Sequence, residues 1–247
     1  MTGHGPRYGA AVNESFLVPA RFCGPPSSGN GGWTSGHLAQ LVDPDATVTV
    51  RLRTPPPLDV EMDIARADDG TVEIWDGSTL VASAISAEPL DETRLPAPVP
   101  YADAEAAGAS YEGLVGHPFP TCFACGTARD PADALCLRTG LLPGSDALRA
   151  AAWTPAESTP EMVWAAMDCP GGWASGIAGR EMVLGTMTAR VHALPAVGEP
   201  HVVLAWPRGH SGRKFRSASC LYDAAGRLLG QAEAIWLAVD ASSVRPV

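Results

Sequence analysis

The feature that most constrains this chain is a hexapeptide written twice. Gly31-Gly32-Trp33-Thr34-Ser35-Gly36 and Gly171-Gly172-Trp173-Ala174-Ser175-Gly176 agree at five of six positions, at an offset of 140 (171 − 31). The spacing persists downstream, where Arg51 matches Arg190 at 139 (190 − 51) and Pro55 matches Pro195 at 140 (195 − 55). Self-similarity at a fixed period reads as one unit used twice. A length of 247 residues holds one large domain or two of about 120 each. The copies differ at one chemically important place. Asp168 stands just before the second pair of glycines, and the same offset lands on Ser28 in the first. Chemistry is therefore expected in one copy, at Asp168.

Each copy reads as a helix followed by an antiparallel meander. In the first, Asn30 is the expected N-cap of a helix with Trp33, His37, Leu38, Leu41 and Val42 at helical intervals. Asp43-Pro44-Asp45 ends it. A strand is expected within 14–22, at Ser15-Phe16-Leu17-Val18. Residues 48–53 alternate apolar and polar, and strands over 60–65, 71–76 and 79–87 follow, joined by Asp68-Asp69-Gly70 and Asp76-Gly77-Ser78 turns. Residues 88–116 are rich in Pro and Ala and read as a connector with a short helix over 101–107. In the second copy, strands are expected over 134–139 and 147–154 and a helix over 161–167. A break is expected at Asp168 to Gly172, because Pro and Gly are poor interior helix residues. A second helical run over 173–182 and strands over 186–192, 201–207, 215–222 and 228–239 complete it. The expected units are 14–90, 91–116 and 117–240, with 1–12 as a loose tail.

Composition removes several classes. The net charge of −10 argues against a nucleic-acid binder. No apolar run reaches the roughly 20 residues of a spanning helix, and Met1 to Ala10 lacks the apolar core of a signal peptide. Six cysteines are few for a disulfide scaffold of this length. A cytoplasmic, reduced protein is expected, with neither nucleic acid nor membrane as partner. Cys122-x-x-Cys125, with His117 and Cys136 nearby, offers one pair where a structural zinc site takes four ligands. Packed free thiols are expected, with no metal and no cofactor.

Met162-Val163-Trp164-Ala165-Ala166-Met167-Asp168, followed by Gly172-Trp173-Ala174, resembles the central-helix signature of hotdog-fold thioesterases. Pro195-Ala196-Val197-Gly198-Glu199 resembles the turn after their first long strand, and Leu221 to Ala232 resembles their closing hairpin. Cys122-Phe123-Ala124-Cys125-Gly126 is similar to the Cys-Phe-x-Cys-Gly that opens many phenylacetyl-CoA-thioesterase-like members. The resemblance covers about Glu14 to Asp240. It departs at Arg129-Asp130-Pro131, where Asn-Pro and Gly-Leu often stand, and no His-Gly-Gly precedes the central helix. It implies an α+β fold: a tandem double hotdog, each half an antiparallel sheet wrapped around a central helix.

The resemblance also implies an acyl-CoA thioesterase. Asp168 would serve as general base for water or as a carboxylate nucleophile. Backbone N–H groups at a helix start near Gly171 and Gly172, or at Gly31 and Gly32 of the facing copy, would polarise the thioester carbonyl. Arg208, Arg213, Lys214 and Arg216 form the basic cluster and include the sole lysine; they would hold the phosphates of coenzyme A. An ordinary solvated hairpin tip is the plainer reading of those four. A non-catalytic acyl-CoA-binding protein is the alternative function. A hydratase fits less well, since Trp173 stands where Asp-x4-His would put its histidine. Ser175 does not fit the Gly-x-Ser-x-Gly elbow. The small-molecule partner is an acyl-CoA or another thioester, and a homodimer of double hotdogs is an assembly such a chain allows.

Overall fold

A computed structural model describes residues 15–244; the expected tail over 1–12 lies outside them. The first half contributes β1 (Ser15–Phe16), α1 (Gly31–Gln40), β2 (Thr47–Leu52), β3 (Met62–Arg66), β4 (Val72–Asp76) and β5 (Thr79–Ala87). α2 (Tyr101–Ala107) follows. The second half contributes β6 (Gly140–Leu141), β7 (Arg149–Trp153), α3 (Pro160–Ala174), β8 (Met182–Val191), β9 (His201–Ser211), β10 (Lys214–Asp223) and β11 (Leu228–Ala238).

The strands form one sheet in the order β1-β3-β4-β5-β2-β8-β11-β10-β9-β7-β6. Read outward from the middle, β2-β5-β4-β3-β1 mirrors β8-β11-β10-β9-β7. The seam is antiparallel, with Val48 opposite Ala189 and Arg51 opposite Thr186. Across it the Thr49 and Thr188 hydroxyls lie 2.7 Å apart. The main core draws on both halves, joining Phe16, Val50 and Ile74 to Met167, Met187 and Trp236.

α1 starts where its cap dictates. The Asn30 side-chain oxygen accepts from the Trp33 N–H at 2.8 Å, satisfying one of the donors that a helix start leaves over. α1 lies directly against α3. A Cβ on Gly32 would fall 2.4 Å from the Asp168 Cβ and 2.8 Å from the Trp164 carbonyl oxygen; one on Gly36 would fall 2.8 Å from the Glu161 Cα. Four residues apart, these glycines share one helix face, which is why the two backbones can touch.

The second helix differs from the sequence expectation. Residues 160–174 are one helix, with Asp168 and Pro170 inside it, and the helical run expected over 173–182 ends at Ala174, giving way to turns that lead into β8. Every residue from Met162 to Trp173 is buried, so packing inside the sheet outweighs the weak propensities of Pro and Gly. Gly171-Gly172-Trp173 therefore closes α3, whereas Gly31-Gly32-Trp33 opens α1. The hexapeptides do not superpose, and Ser28, which precedes α1, is not the structural counterpart of Asp168. Matching elements drift in spacing, from 129 between the helix starts (160 − 31) to 149 between the last strands (228 − 79).

One further segment departs from expectation. Residues 134–139 are not a strand. The Leu135 and Leu137 N–H groups donate to the Phe123 and Ala124 carbonyls, and Cys136 between them takes φ +52°, which breaks an extended run. The connector carries its expected short helix, α2. Ala104 and Ala107 of α2 bury against Val202, Leu204, Cys220 and Tyr222 in a second, smaller core.

Candidate active site

A cavity of about 500 Å³ opens where the start of α1 meets the middle of α3. Leu52, Pro56, Ile177, Leu184 and Trp236 give it apolar walls, and Asp168 supplies a carboxyl. Asp168 is 2% exposed. Its Oδ2 accepts from the Gly32 backbone N–H at 2.9 Å, so the carboxyl of one half sits on the positive end of the other half's helix. Its Oδ1 is buried and has no partner. Burial pushes the carboxyl up to about 8, opposed mainly by the Gly32 N–H, since desolvation penalises the charged form. Gly31, the first residue of α1, also lines the cavity; helix geometry leaves its N–H without an intrahelical acceptor.

Gly171 and Gly172 are not helix-start donors. They lie in the last turn of α3, and added Cβ atoms would meet the Ser217 hydroxyl at 2.6 Å and the Trp236 ring at 3.0 Å. Their role is close packing. Gly32 is engaged by Asp168, which leaves Gly31 as the free donor of the expected set. Ser28 is buried and lines the same cavity; it faces the site as a wall residue.

The basic cluster is divided. Arg213 and Arg53 both line the cavity. Arg208 and Arg216 line a separate hollow on the sheet with Thr186, Thr188 and Glu233, and Arg208 pairs with Glu233 at 3.2 Å. Lys214 is exposed at the start of β10. The four expected residues do not form one anion patch.

The cysteines are free and mostly buried, as expected, but the pair has a third companion. Cys122, Cys125 and Cys169 gather at the cavity wall, their Sγ atoms all within 4.8 Å of one another. Cys136, read as a companion, is not among them. His117 uses both ring nitrogens elsewhere. Its Nδ1 accepts from the Phe119 N–H at 2.9 Å, so its Nε2 carries the proton and donates to the Cys125 carbonyl at 3.2 Å. Burial holds it below the usual histidine range. Cys169 went unnoticed in the sequence because only the course of α3 carries it to a pair 44 residues upstream (169 − 125). Its place beside Asp168 was the one available clue.

No helix among the described residues is long and apolar enough to cross a membrane. No family model matches the chain, and no curated protein matches it. Solved structures do. A hot dog fold protein of unknown function from Alicyclobacillus acidocaldarius is 13% identical, with a TM-score of 0.56 over 94% of this chain and 93% of its own. An acyl-CoA thioesterase II from Mycobacterium marinum is 12% identical, with a TM-score of 0.53 over 84% and 89%. The dehydratase domain of PpsC from Mycobacterium tuberculosis, in complex with C12:1-CoA, is 18% identical, with a TM-score of 0.57 over 91% and 90%. With its mirrored five-strand halves, each against one central helix, this chain has the hotdog fold in its tandem double form.

Proposed function

We propose that the protein hydrolyses acyl-CoA thioesters in the cavity around Asp168. The observation that carries this reading is a buried carboxyl seated on the start of α1, with its second oxygen unpartnered at the wall of an apolar cavity. The Gly31 N–H polarises the thioester carbonyl, where the helix dipole favours the developing negative charge. In its ionised form Asp168 takes a proton from water, whose oxygen adds to the carbonyl carbon. The C–S bond then breaks, and the coenzyme A thiolate leaves and is protonated. Direct attack by Asp168 would reach the same products through an anhydride. Apolar walls suit an acyl chain, and Arg53 and Arg213 suit the phosphates of coenzyme A. The fold neighbours described as an acyl-CoA thioesterase and as a complex with an acyl-CoA support the substrate class.

A panel of acyl-CoA thioesters assayed for thiol release tests this reading. Asp168→Asn keeps the shape and removes the base. It is expected to lower turnover roughly 10²–10⁴-fold, with binding of a non-hydrolysable analogue largely retained. Wild-type turnover in Asp168→Asn would remove Asp168 from the chemistry. Binding without any thiol release by the wild type would make the protein an acyl-CoA-binding hotdog.

A further inference from the structure

We infer that Cys122, Cys125 and Cys169 form a zinc site, with three thiolate ligands and a fourth coordination position open to the cavity. The inference stands apart from the hydrolytic reading and rests on the sulfur geometry and what surrounds it. A zinc ion bound to thiolates at about 2.3 Å in a tetrahedron sets its sulfurs about 3.8 Å apart. The Cys122 and Cys169 sulfurs are 3.7 Å apart, and the third lies within 4.8 Å of both. Cys-x-x-Cys is the spacing that a short metal-binding turn uses.

The Gly126 N–H closes the turn on the Cys122 carbonyl at 2.8 Å. A Cβ on Gly126 would come within 2.5 Å of the Cys122 and Pro120 carbonyl oxygens, so only glycine fits there. The Asn30 amide nitrogen lies 3.8 Å from the Cys122 sulfur and 3.7 Å from that of Cys169. An amide NH2 can only donate, which makes both sulfurs acceptors, as thiolates are. Packed free thiols require no such donor.

An outer shell fixes the loop, as outer partners do at metal sites. Tyr111 donates to the Cys125 carbonyl at 2.8 Å, and the Phe123 N–H donates to the Cys23 carbonyl at 2.8 Å. Binding exchanges three S–H bonds for three sulfur–metal bonds, and the protons go to solvent. The resulting single negative charge lies beside the start of α1, where the dipole favours it. A dithiol redox pair leaves the third sulfur without a role. No further His, Cys, Asp or Glu atom among the described residues joins the cluster, so the fourth ligand comes from the cavity as water or a bound thiol, the pattern of reactive zinc sites.

The test uses the full chain. Protein expressed with zinc in the medium is expected to carry about one zinc per chain by elemental analysis. Chelator-stripped, reduced protein titrated with Co2+ is expected to give the intense visible bands of tetrahedral thiolate coordination, lost on adding zinc. Zinc should raise the melting temperature of the stripped protein. The triple change Cys122→Ser, Cys125→Ser, Cys169→Ser should abolish the spectrum and the shift; Cys23→Ser and Cys136→Ser should keep both. Three freely titrating thiols with no cobalt spectrum in the wild type would overturn the site, and that result needs no variant to fold. A Cys122–Cys125 disulfide found by mass spectrometry in freshly purified protein would also overturn it, as would bands that persist in the folded triple variant. Uptake of copper(I) with no response to zinc or cobalt would overturn the choice of metal.

Discussion

At Gly32 the absence of a side chain does two things. It lets α1 touch α3, and it delivers a backbone N–H to Asp168 at 2.9 Å. In Gly32→Ala the new methyl would lie 2.4 Å from the Asp168 Cβ, in a place where neither backbone can easily give. Overpacking of this kind costs about 1–3 kcal/mol, or a melting temperature lower by roughly 2–4 °C per kcal/mol at this size. Because the clash falls on Asp168 itself, thiol release should fall with stability. Gly36→Ala is the comparison: its methyl meets Glu161 and Trp164, one turn from the carboxyl. It should lower the melting temperature by a similar amount and spare turnover measured well below that temperature. Equal turnover losses in the two variants would mean that Asp168 placement is not what Gly32 protects. The sequence singled out Asp168 because it broke the likeness of the two hexapeptides, and the structure places it at the wall of the cavity. The bond from Gly32 to Asp168 was not legible: the glycines read as donors to a thioester carbonyl, and no local pattern says which helix start faces a carboxylate 136 residues away.

The elements were legible where local rules and tertiary packing agree. α1, α2 and the meander β2 to β5 lie where cap, turn and alternation signals put them, and Asn30 caps as expected. α3 is where they disagree. Its Pro170 and glycines read as a break, yet the helix continues because it is buried on all sides from Met162 to Trp173, and Ser219 Oγ donates to the Met167 carbonyl at 2.7 Å. Its first turn carries a pH-sensitive contact with α1. Glu161 lies 3.2 Å from His37 Nδ1, and the hydrogen bond to His37, with help from Thr159, lowers its carboxyl from 4.5 to about 2. A carboxyl lowered on folding stabilises the native state above its unfolded pKa and loses that contribution as pH falls toward its folded one. The window here runs from about 4.5 down to about 2. Glu161→Gln should therefore cost stability near neutral pH, on the order of 1 kcal/mol given the partial exposure of the pair. Thermal melts of both proteins should converge as pH drops through that window. A gap that stays constant down to the acid end would assign the loss to packing.

At the scale of the molecule, the repeat was legible as a duplication but not in its register. The hexapeptides pointed to a fixed spacing of 140, whereas segments of unequal length between elements shift the true spacing by 20 residues (149 − 129). Gly-Gly-Trp recurs at opposite ends of the two helices because close approach and a large apolar neighbour are needed at both. The duplication also explains why no half should stand alone. β2 and β8 are neighbours across the seam, so parting them would expose two strand edges together with Val50 and Met187, which are opposite each other and fully buried. Parting the helices would uncover the Gly32 and Gly36 face of α1 and the cavity wall with it. The connector, by contrast, crosses an exposed stretch at Glu92–Arg94. A protease site inserted there should be cut in the native protein, and the two fragments should then co-elute on size exclusion. They should melt in one transition, coincident by tryptophan fluorescence and far-ultraviolet circular dichroism. The first fragment expressed by itself should be insoluble or unfolded, for want of the surface that buries its central strand and helix. Two fragments that separate as folded monomers, or a cut protein with two distinct transitions, would mean that the halves are autonomous and that the cavity between them is not held by one cooperative core.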